Sequence, residues 1–246
     1  MLLQTAVLGG LAASVGLGAS GWLAGSTFAL FTWALLTGAL LRSGATSLGP
    51  ANAVTLARAT LVGGVAALVA DSLAGRSTPV ALLVTLAVVA WLMDGVDGQV
   101  ARRTGTTTRL GARFDGEVDS ILVLVLSVYV AGSLGPWVVA IGAYRYAFVV
   151  AGWLLPWLRG DLPRRQSRSA VAALQGIVLI VAATGVVPTP ALTAVVGLAL
   201  AVLTWSFGRD MRYLHQLDAR QRATVTGEAA EVRTVPAPEP FVGVGQ

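Results

Sequence analysis

Asp94, Asp97, Asp115 and Asp119 are the residues of this chain whose type and spacing can do chemistry. They stand in D-G-V-D-G-Q-V-A-R and, eight residues later, in G-A-R-F-D-G-E-V-D, at the junction of two apolar segments. Asp94 and Asp97 are three residues apart, with Gly98 and Ala101 on the same side of a helix; Gly111, Asp115 and Asp119 recur every four residues on the next. Two antiparallel helices joined by a short loop bring both carboxylate pairs to one depth. Close carboxylates repel and need positive charge nearby. A donor set of oxygen alone, without His or Cys, suits a hard divalent cation such as Mg2+ or Mn2+. A pair of such ions can clamp a pyrophosphate and polarise a phosphorus under attack, and the small residues let a nucleotide approach the backbone.

Two plainer readings compete with this one. The aspartates could form interfacial salt bridges with Arg102, Arg103, Arg109 and Arg113, but such pairs contribute little and require no aligned glycines. D-G-V-D-G also looks like the start of a calcium loop, yet the ligand alternation and the closing Glu are missing. Carboxylates at a bilayer edge are costly, which favours a functional site.

The elements that must hold these residues are membrane helices. The 246 residues are 55% hydrophobic and 12% charged, too apolar for a water-soluble domain. Apolar stretches run over residues 2–15, 22–41, 54–70, 80–93, 112–131, 137–158, 170–187 and 191–207. Most approach the roughly 20 residues that span a bilayer. The pattern predicts an all-α integral membrane protein: six transmembrane helices from residue 54 onward, preceded by a transmembrane hairpin over 1–42 that turns near Gly18 to Gly21.

Charge placement predicts orientation and exclusions. All 17 basic residues besides His215 are Arg, and most fall at alternate ends of the spans, so those ends are expected to face the cytoplasm of a cell membrane. A net charge of +5 then implies anionic head groups rather than nucleic acid. The absence of Cys excludes a thiolate nucleophile, and His215 alone excludes a His-rich zinc site. His215 is expected to be solvated, and residues 219–246, polar and then Pro-rich, to form a disordered tail.

Asp94, Asp97, Gly98, Ala101, Arg102, Gly111, Asp115 and Asp119 together resemble the signature of the CDP-alcohol phosphatidyltransferase family. The resemblance extends over residues 49–212 and implies a six-helix membrane bundle, usually homodimeric, with a cytoplasm-facing site for two divalent cations. It implies Asp94, Asp97, Asp115 and Asp119 as metal ligands, Asp119 also as the catalytic base, and Gly98, Ala101, Arg102 and Gly111 as the nucleotide pocket. Asn52, Thr55 and Arg58 resemble the family's segment at the start of its first core helix and join that pocket, although Ala51 is an extra residue after Pro50. Helix capping by Asn52 or Thr55 and a snorkelling Arg58 is the alternative.

The implied activity is transfer of a phosphatidyl group from CDP-diacylglycerol to an alcohol acceptor with release of CMP, or transfer of a phosphoalcohol from a soluble CDP-alcohol to a lipid. A divalent-cation transporter would need acidic residues in mid-span on several helices, and those spans are bare. For the acceptor, Arg145 is the one charge inside its span and points to a cavity. Arg164, Arg165 and Arg168, with Arg159, form a basic patch that suits a phosphorylated polyol, and Gln175 either lines that pocket or bonds a neighbouring helix. Glu117 points away from the aspartates and is expected to pair with an Arg.

Overall fold

The computed structural model describes residues 2–43, 50–104, 109–159 and 166–234. Among the described residues every regular element is a helix: α1 (Leu2–Val15), α2 (Ala19–Ser43), α3 (Pro50–Leu73), α4 (Val80–Thr104), α5 (Arg109–Leu134), α6 (Val139–Leu154), α7 (Gln166–Ala183) and α8 (Thr189–Thr234). Single turns of 3-10 helix, Pro136–Val138 and Pro156–Arg159, lead into and out of α6. The breaks follow local chemistry. Gly16, Gly135 and Gly185 take positive φ of 69°, 103° and 68°, which side chains disfavour, and Pro136 and Pro190 each open the following helix, where a missing N–H costs nothing.

α3 is the centre of the bundle. It packs against α1, α2, α4 and α5, and 67% of its most apolar stretch is buried, against 17–28% for the other long spans. Val62, Val65 and Ala67 are fully enclosed, whereas Phe31, Trp33, Trp153, Leu198 and Trp205 lie exposed on the outer helices. Apolar groups outward and satisfied backbone within are the requirements of a helix bundle in lipid. Among the described residues five helices are long and apolar enough to cross a membrane, and the apolar parts of α1, α4 and α7 are shorter. The chain is a multi-pass membrane protein.

Asp71, near the end of α3, explains how the N-terminal hairpin is held. Its carboxylate accepts hydrogen bonds from the Gly18 and Gly21 N–H groups and the Ser20 hydroxyl, each at 2.6 Å, while Arg76 approaches it at 3.5 Å and donates to the Gly16 carbonyl. The start of α2 thus has its orphan donors satisfied from another helix. Asp71→Ala is expected to cost about 3 kcal/mol, because it strips charge-assisted bonds and leaves those donors unmet. Faster proteolysis at the Gly16–Gly18 turn in Asp71→Ala than in the wild type would check it.

The crossing of α5 and α6 depends on Gly142. A Cβ there would lie 2.3 Å from the Leu124 Cα, which is backbone and cannot swing aside. Gly142→Ala is therefore expected to force the helices apart at a cost of about 2 kcal/mol, read as a lower midpoint of thermal unfolding in detergent. The effect reaches the site, since α6 carries Arg145 and α5 carries Asp119.

The polar stretch from Ala219 differs from the disorder expected of it. It continues α8 as far as Thr234. Ala, Arg, Gln and Glu dominate residues 219–233, all good helix formers, and Pro236 and Pro238 follow just past the helix end. Residues 235–246 lie outside the described residues. His215 is exposed, as expected, with its ring edge-on to Trp157 at 5.4 Å.

Candidate active site

Three of the four aspartates converge on one guanidinium. Arg58 of α3 has no exposed side-chain surface, and its Nη1 lies 3.0 Å from Asp94 Oδ1 on α4 and 2.9 Å from Asp119 Oδ1 on α5. Its Nη2 pairs with the Asp115 carboxylate and donates to the Asp115 carbonyl at 3.2 Å. The snorkelling alternative for Arg58 is therefore corrected. The side chain turns inward because three carboxylates supply there what water supplies at the interface, and leaving the cation buried without them would be costly.

The carboxylates themselves stay about one-third exposed: 37% for Asp94, 34% for Asp115 and 36% for Asp119. Arg58 cancels only one of their three charges. Among the described residues no group of His, Cys, Asp or Glu is close enough to form a metal cage unaided. The residues nevertheless fit a hard cation. Their donors are all oxygen, and each group is about one-third open. Asp97, Gly98, Ala101 and Arg102 fall on α4, Asn52 on α3 and Arg168 on α7, but their side chains, and the whole of Arg164 and Arg165, lie outside the described residues. Thr55 is buried one turn before Arg58, and Gly111 is half-buried.

Asp119 is a wall shared by two cavities. The smaller, about 210 Å³, lies between α4, α5 and α7 and also contains Asp94, Gly95 and Trp91. The Trp91 indole occupies the space beside Gly176, where a Cβ would come within 2.9 Å of it. The larger cavity, about 460 Å³, lies between α5, α6, α7 and α8, with Arg145, Gln175, Ser206 and Asp210 among mainly apolar neighbours. One carboxylate thus faces a space next to another aspartate on one side and a separate chamber on the other. That is the placement a base needs to reach two substrates.

Comparison with known proteins decides the class. A model of the CDP-alcohol phosphatidyltransferase family matches residues 49–208. The chain belongs to this family. Ethanolaminephosphotransferase 1 of Homo sapiens is 35% identical over an 86-residue alignment covering 28% of this chain and 22% of that protein. The protein of the same name from Pongo abelii is 34% identical with the same coverage. The chain therefore matches only about a fifth of the length of these relatives. No solved structure matches it.

In this member of the CDP-alcohol phosphatidyltransferase family, three motif aspartates share one buried cation. Arg145 does line a cavity, and its Nη2 pairs with Glu117 Oε1 at 2.6 Å, as expected for Glu117. Gln175 lines the same cavity and donates to the Ala199 carbonyl on α8 at 2.8 Å. Asp210 and Ser206 were not legible as site residues. Asp210 is flanked by Arg209 and Met211, with Arg212 one residue further on, at the end of an apolar span, a pattern that reads as ordinary topology-setting charge. Only the packing of α8 against α6 and α7 brings it to the chamber.

Proposed function

We propose that this transferase moves a phosphatidyl group from CDP-diacylglycerol to the hydroxyl of a small alcohol and releases CMP. The observation that carries this reading is Asp119, common to the aspartate-lined cavity and to the larger chamber. An alcohol in the chamber gives its hydroxyl proton to the Asp119 carboxylate. The oxygen attacks the phosphorus that bears diacylglycerol, and the bond from that phosphorus to the CMP phosphate oxygen breaks with its electron pair, so that CMP departs. Asp94, Asp97, Asp115 and Asp119 are the residues that would hold two Mg2+ or Mn2+ ions, which when bound supply charge neutralisation to the pyrophosphate. Gly98, Ala101, Arg102 and Gly111, with Asn52 and Thr55, form the nucleotide side. Arg58 holds the carboxylates in register.

The Arg-rich helix ends face the cytoplasm in this reading, the enzyme works in the cell membrane, and two copies pair as the family resemblance implies. A second reading reverses the lipid: a phosphoalcohol moves from a soluble CDP-alcohol to a lipid hydroxyl. The likeness to the two ethanolaminephosphotransferases and the mainly apolar wall of the chamber favour it.

Purified protein with Mg2+ and CDP-diacylglycerol labelled in its glycerol backbone separates the two. Label passing into a new phospholipid together with CMP release supports phosphatidyl transfer. Inert CDP-diacylglycerol, alongside turnover of CDP-ethanolamine with diacylglycerol, assigns the reverse direction.

A further inference from the structure

A residue that lines the larger chamber carries a polar atom that the fold leaves unsatisfied. Gln175 of α7 lines the chamber and is 2% exposed. Its amide nitrogen donates to the Ala199 carbonyl at 2.8 Å. Since a carbonyl can only accept, that bond fixes which end of the amide is nitrogen and leaves Oε1 as the other. Gln175 Oε1 is buried and has no hydrogen-bond partner. Buried acceptors in this condition are rare, and at a site each calls for a missing donor.

The rest of the chamber wall narrows what that donor belongs to. Among the described lining residues Arg145 is the one cation; Glu117 holds its Nη2 at 2.6 Å, and its Nε is buried without a hydrogen-bond partner. Asp119, paired with Arg58, and Asp210, 3.8 Å from Arg209, contribute carboxylates, Ser120 is turned to the Gly116 carbonyl at 2.7 Å, and the Tyr144 and Phe207 rings pack at a tilt with centroids 5.2 Å apart. Among the described residues the wall offers Gln175 Oε1 no donor of its own. Acyl chains and ester groups bring no donors to it.

We propose that Gln175 is a specificity-determining residue of the acceptor-alcohol site. Its Oε1 accepts a hydrogen bond from a second donor, a hydroxyl or an ammonium, on a small alcohol whose reacting hydroxyl faces Asp119. The proposal rests on the reading of Asp119 as the base, and it adds a requirement that this reading lacks: the substrate must carry a donor besides the one that reacts. A site built around an acceptor discriminates strongly against analogues that leave it unpaired.

The test compares glycerol, ethanolamine and propanol, first as ligands by saturation-transfer NMR on the detergent-solubilised protein and then as acceptors in CMP release. Wild-type protein is expected to bind and use glycerol or ethanolamine in preference to propanol, and the better of the two says whether hydroxyl or ammonium is the donor. In Gln175→Leu the KM of that alcohol rises about tenfold, the size of one lost hydrogen bond to a buried acceptor, while the KM of the CDP-linked donor and of propanol stays put. Gln175→Glu keeps an acceptor oxygen and, as the acid, can still donate to Ala199, so it restores most of the loss. A Gln175→Leu protein that shifts all alcohols and the donor alike assigns Gln175 a packing role and overturns the proposal, as does one that shifts none. Should Gln175→Leu fail to fold, Gln175→Asn withdraws the oxygen while keeping the amide, with the same outcomes. Loss of CMP release in the wild type with every donor overturns the transfer reading instead, and the NMR preference still decides the role of Gln175.

Discussion

Asp119→Asn is expected to lower CMP release by about a hundredfold to ten-thousandfold, the range a positioned general base supplies. Asparagine has nearly the same shape but cannot take a proton from the acceptor hydroxyl. The fold is expected to survive, because Arg58 keeps Asp94 at 3.0 Å and its contacts to Asp115. CDP binding should survive too, since the nucleotide-side residues are other ones. The check pairs a CMP-release assay with CDP-binding titration of Asp119→Asn. Loss of both together would place Asp119 in cation and nucleotide binding rather than in proton transfer.

Arg58→Gln carries the largest expected cost in stability. Arg58 is fully buried and stands between three carboxylates, so its removal leaves like charges facing one another around a vacated centre. Breaking a buried ionic group by removing one partner costs about 3–5 kcal/mol. A divalent cation offsets that loss, so Mg2+ should raise the thermal midpoint of Arg58→Gln more than that of the wild type. Thermal unfolding in detergent, with Mg2+ and with chelator, reads both effects. Equal stability of the two proteins in chelator would show that Arg58 is not the counter-charge of the site.

Much of this site is legible in the sequence because its residues lie at helical intervals. Spacings of three and four align Asp94 with Asp97 and Asp115 with Asp119 before any packing is known. The eight apolar stretches likewise correspond to α1 to α8, since lipid demands long apolar helices and glycine and proline mark their ends. What the sequence hides is contact between distant helices. Arg58 meets Asp119 across 61 positions, and Asp71 meets Gly18 across 53, and no local pattern announces either. Asp71 is one of the few charges at the helix ends opposite the Arg-rich ones, and its partners are backbone N–H groups that every sequence has. Asp210 is hidden for the same reason, belonging to the chamber only through the packing of α8. The helical stretch from Ala219 to Thr234 shows a different limit, where low hydrophobicity read as disorder and helix propensity prevailed.

Which side of Asp119 each substrate occupies is the centre of the proposed function, and one measurement addresses it most directly. Purified protein is given CDP-diacylglycerol and Mg2+, and CMP is followed with and without a small alcohol, in wild type and in Asp119→Asn. CMP that appears in the wild type only when alcohol is present, and in Asp119→Asn not at all, is the predicted result. CMP release that is unchanged by Asp119→Asn would contradict it, because the carboxylate shared by the two cavities would then have no part in moving the proton.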